Sequence, residues 1–238
     1  MIDPEIAQTP SLLSMRIRNP NHRKTPGLAI LALCILFALS NDLAAAAPIA
    51  DRELIRDPAF DLGFSVLSLQ AGGGEIGRIQ PTGTLLEPVW QLAQWHSRFV
   101  LTDFAAPDSG SLCVSNVARR LSLERAPGQE PILTLHLDSR PEYQDQPRRT
   151  LSQPWVHLLV QQEIRDAPTL AELTGLRLRF QARLREAETF RPDGYTPSLH
   201  AAQFQVVLTL NNTRRESPGY GDYLWFVVPI YDDRYATP

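Results

Sequence analysis

The chain has 238 residues, with 23 Lys plus Arg against 26 Asp plus Glu, a formal net charge of −3 and 43% hydrophobic residues. That balance disfavours a phosphate-backbone binder, which needs clustered positive charge, so nucleic acid is not an expected partner. The single lysine, Lys24, lies near the N-terminus, which removes Schiff-base and lysine-base chemistry from the rest of the chain.

In chain order, Arg16, Arg18, His22, Arg23 and Lys24 precede an apolar run at 27–39, and the small-residue stretch LAAAAPIA follows. Basic, apolar and small residues in this order are the layout of a secretory signal peptide. The run is 13 residues long, whereas a helix across a bilayer needs about 20, so no stable membrane span is expected after signal removal. Residues 1–47 are read as an N-terminal extension and signal, with cleavage after Ala46 or Ala47 and Met15 as an alternative start. An uncleaved anchor is the competing reading. Residues 48–238 are read as one domain, secreted or periplasmic. Of the two cysteines, Cys34 falls in the signal, which leaves Cys113 without an intrachain partner. A buried, inert strand position is expected for it, with an intermolecular bridge as the alternative.

Candidate strands then recur with turn signals between them: LGFSVLSL near 62, EPVWQLAQWHSRFVL near 87, SLCVSNVARRLSL near 111 and EPILTLHLD near 130. Between the first two, AGGGEIG at 71 reads as a flexible loop. Four more follow: WVHLLVQQEI, LRLRFQARLRE, HAAQFQVVLTLN and DYLWFVVPIYD. PTLAELTG at 168 is the one helical signal, a turn or two linking strands. These runs predict an all-β fold, an antiparallel β-sandwich of jelly-roll type with one short helix. Pro229 inside the last run predicts an edge or a bulge there.

Strand side chains alternate between two faces. The four late runs therefore place His157, Gln161 and Glu163, then Arg177, Arg179, Gln181 and Arg183, then Gln203 and Gln205, opposite apolar sets. Tyr223, Trp225 and Tyr231 share one parity of the last run. Adjacent strands of this kind predict one broad polar and aromatic surface. A pyranose offers an apolar CH face and a rim of hydroxyls, so flat rings beside amides and guanidinium groups suit a sugar. QLAQWHSRF adds Gln94, His96 and Arg98 on one parity. With His157, Arg179 and Tyr223 they contain a base, a carboxylate-neutralising group and a phenolic acid.

Other chemistries find little support. The mature histidines, His96, His136, His157 and His200, lack metal-ligand spacing, and no cofactor fingerprint is present. Paired carboxylates for glycoside hydrolysis are also missing, since Glu163 is alone on its parity.

The export signal, the strand pattern and the Gln/His/Arg/Tyr set resemble the concanavalin A-like lectin and glucanase group of jelly-roll proteins. Gln94-x-His96 is similar to an element that alginate lyases of this type use together with Arg and Tyr. The lysine-bearing C-terminal strand of those enzymes has no counterpart here. The resemblance implies a carbohydrate partner. The first expectation is an exported carbohydrate-binding protein in which Gln94, Gln161, Glu163, Gln181, Arg183, Gln203 and Gln205 bond hydroxyls and Trp225 stacks with Tyr223. The second is a polysaccharide lyase acting on a uronate glycan, with His96 or His157 as base, Tyr223 as acid and Arg98 or Arg179 on the carboxylate. The third is a structural envelope protein.

Overall fold

A computed structural model describes residues 14–18, 52–102, 104–106, 111–144, 146–165, 167–189, 191 and 193–235. Along them run strands β1 (Ser14–Arg18), β2 (Arg52–Glu53), β3 (Phe64–Leu67), β4 (Glu75–Pro81), β5 (Trp90–Ala93), β6 (Phe104–Ala106), β7 (Leu112–Ser115), β8 (Arg119–Glu124), β9 (Ile132–Leu137), β10 (Leu159–Gln161), β11 (Gly175–Arg179), β12 (Gln203–Asn211) and β13 (Tyr223–Asp232), with one α-helical turn, α1 (Pro197–His200). The architecture is all-β. The expected helix at 168 is a 3-10 turn at Leu170–Glu172, closed by a capping box in which Thr169 and Glu172 satisfy each other's backbone.

The strands form four sheets, ordered β11-β1-β2, β10-β5-β3-β4-β6, β7-β8-β9 and β12-β13. The five-stranded sheet is mixed, because β5 lies parallel to β3 and β6 parallel to β4. This departs from the all-antiparallel arrangement the sequence predicts. The AGGGEIG segment is also more than a loop: its end, from Glu75, opens β4. Its sequence, EIGRIQP, shows no period-two alternation that would mark it as a strand. The apolar run at 27–39 and the candidate cleavage positions lie outside the described residues. β1 precedes that run and pairs on one side with β11, on the other with β2. Signal removal would therefore strip β11 of this strand.

One apolar cluster joins the five-stranded sheet to β7-β8-β9: Phe64 and Val66 on β3, Ile79 on β4, Trp90 and Leu92 on β5, and Leu112, Leu121 and Leu123 on β7 and β8. Alternation on β8 explains its half, since Leu121 and Leu123 point inward while Arg120 and Glu124 are exposed. Cys113 corrects an expectation. On β7 it takes the outward parity opposite Ser122 and is exposed.

Gly63 fixes how closely β3 meets β4. Its φ is +73°, and a Cβ there would lie 2.3 Å from the Ile79 carbonyl oxygen. Only glycine satisfies both the left-handed backbone and that approach.

Beyond the core, β9, β10, β11 and β12 border an open trough of 4790 Å³, with Leu135, Val160, Leu178 and Leu208 among its lining residues.

Candidate functional site

The four segments of the expected polar surface enter three different sheets, although His157, Gln161, Gln181, Gln205 and Tyr223 all border the open trough. Strand β10 covers only Leu159–Gln161, so His157 and Glu163 flank it rather than alternate along it. Gln161 faces its register partner on β5 and donates to Gln91 Oε1 at 2.9 Å. Glu163 is exposed. Strand β11 ends at Arg179, leaving exposed Gln181 and Arg183 beyond it.

The parity argument for Gln94, His96 and Arg98 also ends early, since β5 stops at Ala93. Gln94 is fully buried. Its Nε2 donates to the Leu101 carbonyl at 2.7 Å, and its Oε1 accepts from the Leu101 N–H at 2.9 Å. Both ends of the amide brace the backbone, which takes Gln94 away from a solvent-borne sugar. His96 turns with φ +61°, and its backbone N–H donates to Leu69 O. That left-handed turn exposes the imidazole and sets it 6.1 Å from the His157 ring, while Trp95 meets His157 edge-on at 5.7 Å.

Beneath these rings lies a charged pair that the sequence reading passed over. Arg119 and Glu142 form an ion pair with both side chains wholly buried. Arg119 Nη1 also donates to Phe99 O at 3.0 Å, and Nη2 to His157 O at 3.2 Å. Glu142 accepts from Ser97 Oγ at 2.8 Å and from the Arg98 N–H at 2.7 Å. The carboxylate is carried by a 3-10 turn, Pro141–Tyr143, which Gln144 closes in the left-handed region. Arg119 occupies the same parity of β8 as Leu121 and Leu123, and that misplaced charge was the legible signal. Desolvation pushes the Arg119 guanidinium down from its ordinary value, opposed by Glu142. His157 Nδ1 is buried and has no hydrogen-bond partner among the described residues.

Burial, then the neighbouring His96, then Arg119 hold His157 below the ordinary histidine pKa, with a hydrogen bond at Trp155 opposing. Neutral imidazole is therefore the folded form near neutral pH. An unfolded histidine takes its proton near pH ~6.5, earlier than the folded one as pH falls, so unfolding is favoured increasingly below that value. Urea midpoints of wild type should decline more between pH 7.5 and 5 than those of His157→Gln. Equal declines would remove His157 from the linkage.

The second assembly is the β12–β13 hairpin, where the predicted alternation holds. Register places Asn211 opposite Tyr223, Thr209 opposite Trp225, Val207 opposite Val227 and Gln205 opposite Pro229, all on one face. Leu210, Leu208 and Val206 meet Leu224, Phe226 and Val228 on the other. A bulge follows, with Phe204 opposite Tyr231. It lies beside Pro229, as expected, but it shifts Tyr231 onto the apolar face and away from Trp225. Tyr223 and Trp225 remain together, ring centroids 5.5 Å apart and tilted by 37°, and are 63% and 58% exposed. Gln203 donates to Asp232 Oδ2 at 2.9 Å, whereas Gln205 is exposed. Thr209 and Asn211 complete this face; they share the parity of Gln205.

Tyr223 and His157 both border the open trough, but no described contact joins Tyr223 to the histidine pair, and exposed Arg179 at the end of β11 joins neither through a described contact. Among the described residues no three His, Cys, Asp or Glu side chains gather as a metal site, and no helix is long and apolar enough to cross a membrane. Compared with protein-family models, curated proteins and solved structures, the chain matches none of them.

Proposed function

We propose that this is an exported carbohydrate-binding protein, built as a β-sandwich of jelly-roll type, which holds a polysaccharide or oligosaccharide on the outer face of the β12–β13 hairpin. The observation that carries this reading is the exposed Tyr223–Trp225 pair with Thr209, Asn211 and Gln205 beside it on one face. The rings receive the apolar CH face of a pyranose, while the hydroxyl and the two amides bond its rim. No charge lies on that face between Gln205 and Asn211 or between Tyr223 and Pro229, which suits a neutral sugar stretch. The test is a glycan panel probed with the purified protein, Trp225→Ala and Gln205→Ala. Truncating an aromatic anchor costs about 2 kcal/mol or more, so Trp225→Ala should bind at least ~30-fold more weakly. Binding by wild type to no glycan would leave the structural envelope reading.

The approach of His96 to His157 favours lyase activity as a second reading. Neutral His157 would take the C5 proton next to the uronate carboxylate, the C4–O bond would break as the C4=C5 double bond forms, and the resulting imidazolium would give the proton to the leaving sugar oxygen, with Arg98 neutralising the carboxylate. Absorbance from unsaturated product on uronate polymers would support it. None across substrates and pH would end it.

A further inference from the structure

The β12–β13 hairpin carries apolar side chains on both faces, and among the described strands β13 has β12 as its one hydrogen-bonded neighbour. Tyr223, Leu224, Trp225, Phe226, Val227 and Val228 are each 40–63% exposed in succession. A two-stranded ribbon is at best marginally stable in water. Natural edge strands are usually protected by charges, prolines or bulges against pairing with another chain. Here the protection sits at one end only, at Pro229 and the bulge beside it. From Tyr223 to Val228 the free edge bears no such residue.

We propose that β13 pairs with β13 of a second copy, antiparallel about a two-fold axis. An edge that presents the same uncharged sequence to itself is self-complementary, as an isologous interface requires. No like charges meet across the axis, since 223–228 carries none, and Leu224, Phe226 and Val228, 56%, 51% and 40% exposed, would extend one apolar face with the same residues of the second copy. The product is a four-stranded sheet, β12-β13-β13-β12. One face gathers Leu224, Phe226 and Val228 from both copies, and the other carries both Tyr223–Trp225 pairs. The pairing stands independently of sugar binding and is measured without any glycan.

Sedimentation velocity of the full chain over a concentration series should show a dimer. Val227→Glu sets two carboxylates near the axis and should weaken the dimer at least tenfold while leaving the circular dichroism unchanged. In a Cys34→Ser, Cys113→Ser background, a spin label at Val227→Cys should show strong dipolar broadening between copies, and one at Leu85→Cys should not. A monomer at every concentration overturns the proposal. If the β13 amides of that monomer resist hydrogen exchange, the edge belongs to a segment of the same chain. A dimer with broadening at position 85 but not 227 also overturns it, because the interface is then elsewhere.

Discussion

Glu142→Gln should cost about 3–5 kcal/mol of stability, the largest single effect expected here, because it leaves the Arg119 guanidinium charged and unpaired in the core. The carboxylate does more than neutralise it. Ser97 Oγ and the Arg98 N–H donate to the same two oxygens, so the 3-10 turn, the segment after β5 and β8 are tied at one point. Removing both charges is a different experiment. Arg119→Met with Glu142→Leu loses the ties but leaves no buried ion, and should recover most of the stability that Glu142→Gln forfeits. Urea denaturation of the three proteins checks this. A Glu142→Gln midpoint close to wild type would mean that water reaches the pair. The His96–His157 arrangement should loosen with the single variant, since Arg119 holds the His157 carbonyl.

Gly63→Ala should destabilise by about 2 kcal/mol or more, through two separable causes. The left-handed backbone costs an alanine about 1–2 kcal/mol. The added Cβ must also displace β4, as it would stand 2.3 Å from Ile79 O and 2.9 Å from Gln80 Cα. Gly128 isolates the first cause, for it has the same φ of +73° with nothing within 4 Å of a Cβ. Gly128→Ala should therefore lose only the conformational part. At roughly 2–4 °C per kcal/mol for a chain of this size, Gly63→Ala should melt about 4–8 °C below wild type. Equal losses at the two glycines would show that β4 yields without cost.

The sequence disclosed the β-rich class and the long hairpin well. On β12 the period-two pattern survives residue by residue, from exposed Gln203 to exposed Asn211 with partly buried Phe204, Val206, Leu208 and Leu210 between. It failed where alternation was extended beyond the strand that supports it. Gln94 and His96 share a parity only if β5 continues, and the left-handed turn at His96 ends it. Tyr231 moved because an extra residue in a bulge reverses every parity after it. Nor does alternation within a strand say which sheet the strand joins, so the His157, Arg179 and Gln205 segments were joined into one surface that pairing divides. The Arg119–Glu142 tie was hidden for another reason. Its partners are 23 residues apart, and one is on a turn with no periodicity to mark it.

The two assemblies divide the work between them. The buried ion pair and the histidines above it brace the turn after β5, while the hairpin offers its rings and amides to solvent. A hairpin face binds sugar well only if its two rings are already in place, since ordering them on contact would consume affinity. Register with Thr209 and Asn211 holds Tyr223 and Trp225 side by side before any ligand arrives. Affinity electrophoresis of the full chain and of Tyr223→Ala with Trp225→Ala, in gels containing alginate, polygalacturonate, xylan or β-glucan, tests this most directly. Wild type should be retarded in at least one gel and the double variant, with unchanged circular dichroism, in none. Free migration of wild type in every gel, or equal retardation of the two proteins, would contradict it.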